Sequence, residues 1–195
     1  MEEAEVKPSW QKGKLVVISG ASAGVGKDTI LKLFLQNNPA WENPPSATTR
    51  PPRAGEVDGI DYSFLDPKTF EENQSRGEFL EADFHAEHWY GTPKKPIIEA
   101  LGAGKNVIVR KDVHGAVEIK KQIPEAIVIF IDAESPEVLE SRIRSRQTET
   151  EEEIQRRLEL AKREQAFKKH FDYVVINLHN RIQEALETIE RIISE

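Results

Sequence analysis

Leu15-Val-Val-Ile-Ser-Gly-Ala-Ser-Ala-Gly-Val-Gly-Lys-Asp-Thr29 is an apolar run that breaks into glycines and reaches Lys27 just as a helical pattern begins. A glycine-rich turn between a strand and a helix lets several backbone N–H groups point at one anion. The helix N-terminus adds its partial positive charge. The stretch therefore reads as a phosphate cradle, with Lys27 placed to reach the terminal phosphates of a nucleoside triphosphate. Leu15 to Ile18, β-branched and continuous, has the texture of a strand buried on both faces of a parallel sheet.

The loop departs from the usual pattern G-x-x-x-x-G-K-[ST] in two places. Counting back from Gly26-Lys27 puts Ala21 at the first-glycine position, unless Gly20 keeps that role and the loop holds one extra residue. Asp28 follows the lysine where a hydroxyl residue is usual. A hydroxyl for Mg²⁺ must then come from Thr29, or the Asp28 carboxylate must replace it, and the carboxylate is the reading favoured here.

Composition sets the frame around this loop. With 195 residues, 38% of them hydrophobic, the chain suits one domain able to bury a core. The 27 basic and 34 acidic residues give a net charge of −7, which argues against a nucleic-acid-binding surface. Without cysteine there is no disulfide, thiolate metal site or cysteine nucleophile. Apolar runs stop at about six or seven residues, too short for a membrane span, and the charged N-terminus is unlike a signal peptide. The expectation is a cytoplasmic protein with no membrane and no obligate protein partner.

Working outward, residues 1–12 read as a flexible tail, with Trp10 free to pack back on the domain. Ile30, Leu31, Leu33, Phe34 and Leu35 give the first helix its apolar face, ending near Pro39. From about residue 44 to 92 the texture changes to short alternating segments. Ile60, Tyr62 and Phe64 alternate like a strand, Asp66 caps a short helix starting at Pro67, and Phe79 to Phe84 alternates again. This is read as an inserted small subdomain. The core then resumes with a helix over 96–101 closed by Gly102 and Gly104, a strand over 106–109, a helix over 116–122 and a strand over 126–131. A helix from Pro136, a charged stretch over 142–157, a second helix to about Lys169, a strand over 173–176 and an amphipathic helix over 182–193 complete it. Strands alternating with helices predict a three-layer α/β fold around a parallel sheet.

The segment Ser46-Ala-Thr-Thr-Arg50-Pro-Pro-Arg53-Ala-Gly-Glu-Val-Asp-Gly-Ile-Asp-Tyr62 is the most specific in the chain, and it resembles the guanylate kinase family. The resemblance continues through Gly77-Glu-Phe-Leu-Glu81, Trp89-Tyr-Gly-Thr-Pro93, Val107-Ile-Val-Arg110-Lys-Asp112-Val-His-Gly115 and Ser141 to Leu158. It runs in one motif order from about Lys14 to Asn177. It implies a P-loop kinase fold of three layers, with a core over about 13–43, 93–137 and 160–195. A GMP-binding insertion would span about 44–92 and a helical lid about 138–159.

The resemblance also implies roles. Arg50, Arg53, Tyr62 and Tyr90 fall on positions that hold the phosphate of GMP, which suits guanidinium forks and phenols. Glu81 and Asp112 would read the guanine edge, whose N1–H and exocyclic amine are adjacent donors, with Ser46 and Thr92 also on the base. Asp112 as a plain helix cap is the competing explanation. Ala23, Gly24, Val25, Gly26, Lys27, Asp28, Thr29 and Asn177 would bind ATP, with Mg²⁺ at Asp28 or Thr29. Lys27, Arg142, Arg146 and Arg157 would stabilise the transferred phosphoryl group. Arg110 replaces an aspartate and Gln147 a glycine of the family pattern.

The activity implied is ATP-dependent phosphorylation of GMP to GDP. An alternative is a guanylate-kinase-like binding module that has lost activity, favoured by Ala21, Asp28 and Arg110 but opposed by Lys27 and the lid arginines. A related kinase with another phosphorylated acceptor is the remaining one.

Overall fold

In the computed structural model, which describes residues 12–21, 24–145 and 150–194, the quoted stretch forms strand β1 (Leu15–Gly20) and the start of helix α1 (Lys27–Asn37). β2 (Ser46–Thr48), β3 (Tyr62–Phe64), α2 (Pro67–Ser75), β4 (Phe79–His85) and β5 (His88–Pro93) follow. Next come α3 (Lys94–Gly102), β6 (Val107–Arg110), α4 (Val113–Gln122), β7 (Ile127–Ala133) and α5 (Pro136–Arg144). α6 (Glu151–Glu164) runs into a 3₁₀ turn over Gln165–His170, and β8 (Tyr173–Asn177) and α7 (Ile182–Ser194) end the described chain.

Period two along β1 explains the layering. Val16 and Ile18 enter one apolar cluster with Ile30 and Phe34 of α1 and Leu186 and Ile189 of α7. Leu15 and Val17 enter another with Ile97 and Leu101 of α3 and Ala116 and Ile119 of α4. A strand that is 0% exposed at all four positions must have helices on both faces. Each large aliphatic side chain buried this way contributes about 1.5–3 kcal/mol. The resulting sheet has the order β6-β1-β7-β8, every neighbouring pair parallel.

A second sheet, of order β3-β2-β5-β4, forms from 46–93. It is mixed: β2 and β3 are parallel, whereas β5 runs antiparallel to both β2 and β4. Alternation again sorts its faces. Ala47 and Phe79 pack on Phe70 of α2, with Trp89 at the margin, while Ser46, Tyr62, Glu81, Asp83 and Tyr90 line the opposite side. Gln122 of α4 donates to the Leu80 carbonyl at 2.6 Å, tying the two sheets together.

Several element boundaries differ from the sequence reading, each for a local reason. Ile60 lies outside β3, 72% exposed in the turn where Ile60 N–H bonds Val57 O. α3 begins two residues early at Lys94, because Pro96 has no N–H to lose within a first turn. α4 begins at Val113, since the Asp112 carboxylate caps it by accepting the Gly115 N–H at 2.7 Å. The second lid helix stops at Glu164 and tightens into the 3₁₀ turn instead of continuing to Lys169. Among the described residues no helix is long and apolar enough to cross a membrane. The tail reading for residues 1–11, Trp10 included, lies outside the described residues.

Candidate active site

Gly20, at the C-terminal end of β1, is where the cradle starts. A Cβ there would stand 2.0 Å from the Ile131 carbonyl oxygen of β7, and its φ is +139°, so only glycine lets the strand pass so close to its neighbour. Ala21 is fully buried, and the alanine fills the first-glycine position of the usual pattern. At the far end Gly26 has φ +83°, and a Cβ would meet Asn177 Nδ2 at 2.7 Å. Asn177 sits there because its amide donates to the Val25 carbonyl at 2.9 Å, pinning the end of β8 to the loop. Its Oδ1 is buried and has no hydrogen-bond partner among the described residues.

Lys27 folds back into the loop, where Nζ donates to the Ala21 carbonyl at 2.5 Å and the Gly20 carbonyl at 3.3 Å. Burial pulls its pKa down to about 8, while the nearby carboxylate of Glu164 pushes the other way. Carbonyl oxygens thus hold the ammonium where anionic oxygens would compete for it. Asp28 and Thr29 are exposed on the first turn of α1. Asp28 Oδ1 lies 2.7 Å from Arg110 Nε. The register Ile18↔Arg110 between β1 and β6 brings this pair together, so the unusual acid beside the lysine and the unusual base at the strand end occur as partners.

Across from the loop, the polar face of the second sheet and the end of β6 enclose a cleft of about 610 Å³. Pairing of Glu81 opposite Thr92 puts both side chains on that face, and the Thr92 hydroxyl donates to Glu81 Oε1. A register shift between Phe79 and Glu81 marks a bulge, a device that re-aims a side chain. Asp112 approaches from the start of α4. A Cβ at Gly115 would be 3.2 Å from both Glu81 Oε2 and Asp112 Oδ1, so the two carboxylates converge over a residue with no side chain. Asp112 is therefore a helix cap and a cleft-lining acid at once.

Arg50 and Tyr62 stand at the other end of the cleft with Tyr90. The Arg50 guanidinium is held by Glu56 through two 2.9 Å bonds and lies 5.3 Å from the centre of the Tyr62 ring. The hydrogen bonds from Arg50, then the Arg53 N–H, lower the Glu56 pKa to about 2. Tyr90 is steadied by His85, whose ring stacks on it at 4.2 Å. Arg53 lines the same cleft, and Ser46 lies at its inner edge.

On α5, Arg142 Nη2 donates to the Asn177 carbonyl at 2.9 Å, bringing the helix to the end of β8 and the loop it pins. Arg157 is half-buried on α6. Arg144 spans α5 and α6, bonding Glu140 at 2.8 Å and gripping both carboxylate oxygens of Glu151. Part of the charged run is thus an ion-paired brace between helices. Ala23, Arg146 and Gln147 lie outside the described residues.

The structure thus gathers Ser46, Arg50, Arg53, Tyr62, Glu81, Tyr90 and Asp112 around one cleft, and Gly24 to Lys27 and Asn177 around the loop. Sequence reasoning missed several residues of the cleft wall, Asp83, His85, Lys111 and Glu164 among them. Asp83 and His85 were visible as the same-face continuation of Glu81. Glu164, 4% exposed near the end of α6, carried no local signal.

Comparison with known proteins agrees with this geometry. The family model described as guanylate kinase matches residues 12–195. A guanylate kinase of Gloeobacter violaceus is 44% identical over 93% of this chain and 87% of that protein. One from Clostridioides difficile is 43% identical over 94% of this chain and 88% of that protein. The crystal structure of guanylate kinase from Anaplasma phagocytophilum superposes with a TM-score of 0.72 at 26% identity, covering 96% of this chain and 88% of that one.

Proposed function

Because this chain belongs to the guanylate kinase family, we propose that it transfers the γ-phosphoryl group of ATP to GMP, giving ADP and GDP. The observation that carries the reading is that Glu81 Oε2 and Asp112 Oδ1 each lie 3.2 Å from where a Cβ on Gly115 would stand, two acceptors drawn to one place as a guanine edge with two donors requires. Arg50 and Arg53 with Tyr62 and Tyr90 supply cations and phenols for a dianionic phosphate at the other end of the same cleft. Asn177 Oδ1, which has no partner among the described residues, would suit a donor on the second nucleotide.

Chemistry on this arrangement is a matter of position and charge. An oxygen of the GMP phosphate attacks the γ-phosphorus in line, and the bond to the β,γ-bridging oxygen breaks, leaving its electron pair on ADP. The attacking oxygen is already anionic, so no side chain removes a proton. Lys27 gives up the Ala21 carbonyl for phosphate oxygens, and loop N–H groups hold the rest. Arg142 and Arg157 on the lid helices, and Arg146, neutralise the equatorial oxygens as the lid excludes water. Glu56 keeps the Arg50 fork extended before GMP arrives.

Mg²⁺ favours oxygen ligands, keeps several waters and needs only one or two protein oxygens. The Thr29 hydroxyl and the Asp28 carboxylate, exposed on the turn that follows Lys27, fit that demand. Asp28 has one oxygen on Arg110, and its carboxylate would be one of the groups to hold the ion. The ion would neutralise charge on the β- and γ-phosphates. Asp28→Ser is expected to raise the Mg²⁺ concentration for half-maximal rate by about 10-fold or more, as loss of a metal-orienting group does. An unchanged requirement in Asp28→Ser together with its loss in Thr29→Ala would assign the ion to Thr29 alone.

Incubation with ATP alone and with ATP plus GMP tests the reaction directly. ADP should appear only when GMP is present, with GDP formed in equal amount. ADP release indifferent to GMP would mean an ATPase, and none in either case would favour a binding module. The soluble substrates agree with the cytoplasmic residence expected from the sequence.

A further inference from the structure

Lys111 stands between Arg110 and Asp112 and belongs to none of the roles above. Its backbone N–H bonds the Ile18 carbonyl at 3.0 Å, carrying the β6 ladder one residue on. A lysine at a strand end has a stem long enough to reach water. This one turns inward: its side chain is 9% exposed, Nζ donates to Ser46 Oγ at 2.6 Å and lies 3.5 Å from Glu81 Oε1. Burial lowers its pKa, with Glu81 holding the proton on. An ammonium is costly to bury and has three protons to place.

Its place in the cleft gives those protons a use. Lys111 is a donor, Glu81 beside it an acceptor, and Asp112 beyond Gly115 a second acceptor. Guanine offers the complementary row of an oxygen at C6, a hydrogen on N1 and an amine at C2. Adenine presents an amine at C6, which would face the ammonium donor to donor. We propose that Lys111 is a specificity-determining residue whose ammonium donates to the C6 oxygen of the acceptor base, so that the cleft reads all three positions of the guanine edge. The inference rests on the reading of the cleft as a GMP site.

The test compares GMP with 6-thio-GMP, whose sulfur is a poor acceptor, in the wild-type protein and in Lys111→Met. The wild type should prefer GMP in kcat/KM by about 10-fold or more, the range for a hydrogen bond to a charged group. In Lys111→Met that preference should shrink to about twofold or less, with the KM for ATP unchanged. A purely structural lysine would lower both substrates together and leave their ratio intact, which would overturn the proposal. A wild-type protein indifferent to the sulfur would overturn it too, without reference to the folding of the variant. Wild-type turnover of GMP separates the two readings: if it is absent, the GMP site itself is wrong and Lys111 falls with it. If GMP turns over and the ratio does not move, only the role of Lys111 fails.

Discussion

Lys27→Met is expected to lower kcat by about 10³-fold or more while the protein keeps its fold. Methionine matches the stem of lysine in length and apolarity, and the lost contacts are two hydrogen bonds to the Gly20 and Ala21 carbonyls. What disappears is the cation that the loop's own carbonyls hold, and removing a single preorganised donor from a developing charge costs about 10²–10³-fold. A buried ammonium facing a multiply charged phosphate belongs at or above the top of that range. Circular dichroism and thermal unfolding should show the variant folded. A kcat within about tenfold of wild type would remove Lys27 from the mechanism.

The same lysine predicts a pH profile. Its pKa of about 8 in the ligand-free protein lies below the ordinary lysine value, so above pH 8 the amine is increasingly neutral and cannot attract phosphate. kcat/KM for ATP, which reports the free enzyme, should therefore fall through pH 8. Bound phosphates favour the charged form, and the corresponding limb in kcat should move to higher pH. For stability the sign is opposite. A folded-state pKa below the unfolded one means that the unfolded chain binds more protons between pH 8 and 10.5, so this group favours folding increasingly as pH rises through that window.

The core was legible because its strands announce themselves: Leu15 to Ile18, Val107 to Val109 and Val128 to Ile131 are apolar, largely β-branched runs buried on both faces. The second sheet was harder. β2 is three residues long, and the β4–β5 hairpin turns through Ala86-Glu87, with φ of 49° and 64°, without the glycine or asparagine that normally signals such a turn. Site residues carried on motifs could be named as candidates, and the structure brings Ser46, Arg50, Arg53, Tyr62, Glu81, Tyr90 and Asp112 to one cleft. The pairs were not legible. That Asp28 would meet Arg110 depends on strand register, and that Lys111 would turn toward Glu81 depends on a rotamer choice. That Glu164 would approach Lys27 depends on how the lid helix packs. None of these contacts has a spacing rule, since each joins residues at least 50 positions apart or on different layers.

Acceptor choice should show the other large effect. With AMP in the cleft, the unprotonated N1 of adenine would face Glu81, two acceptors in contact, and Asp112 would lose the C2 amine altogether. Oxygens removed from water would then lie unpaired, and a site built to hydrogen-bond one group rejects the analogue lacking it by about 10⁴–10⁵-fold. In the proposed reading Arg50, Arg53 and the two tyrosines, which line the same cleft, would hold the phosphate common to every nucleoside monophosphate, so discrimination would fall on the base alone. The comparison therefore isolates the groups proposed to read the base, Glu81 and Asp112 together with Lys111. The decisive measurement is the rate of coupled ADP release with ATP and, in turn, GMP, AMP, UMP and CMP at equal concentration. GMP should be phosphorylated about 10⁴-fold more efficiently than AMP, and equal turnover of GMP and AMP would contradict the guanine-reading cleft outright.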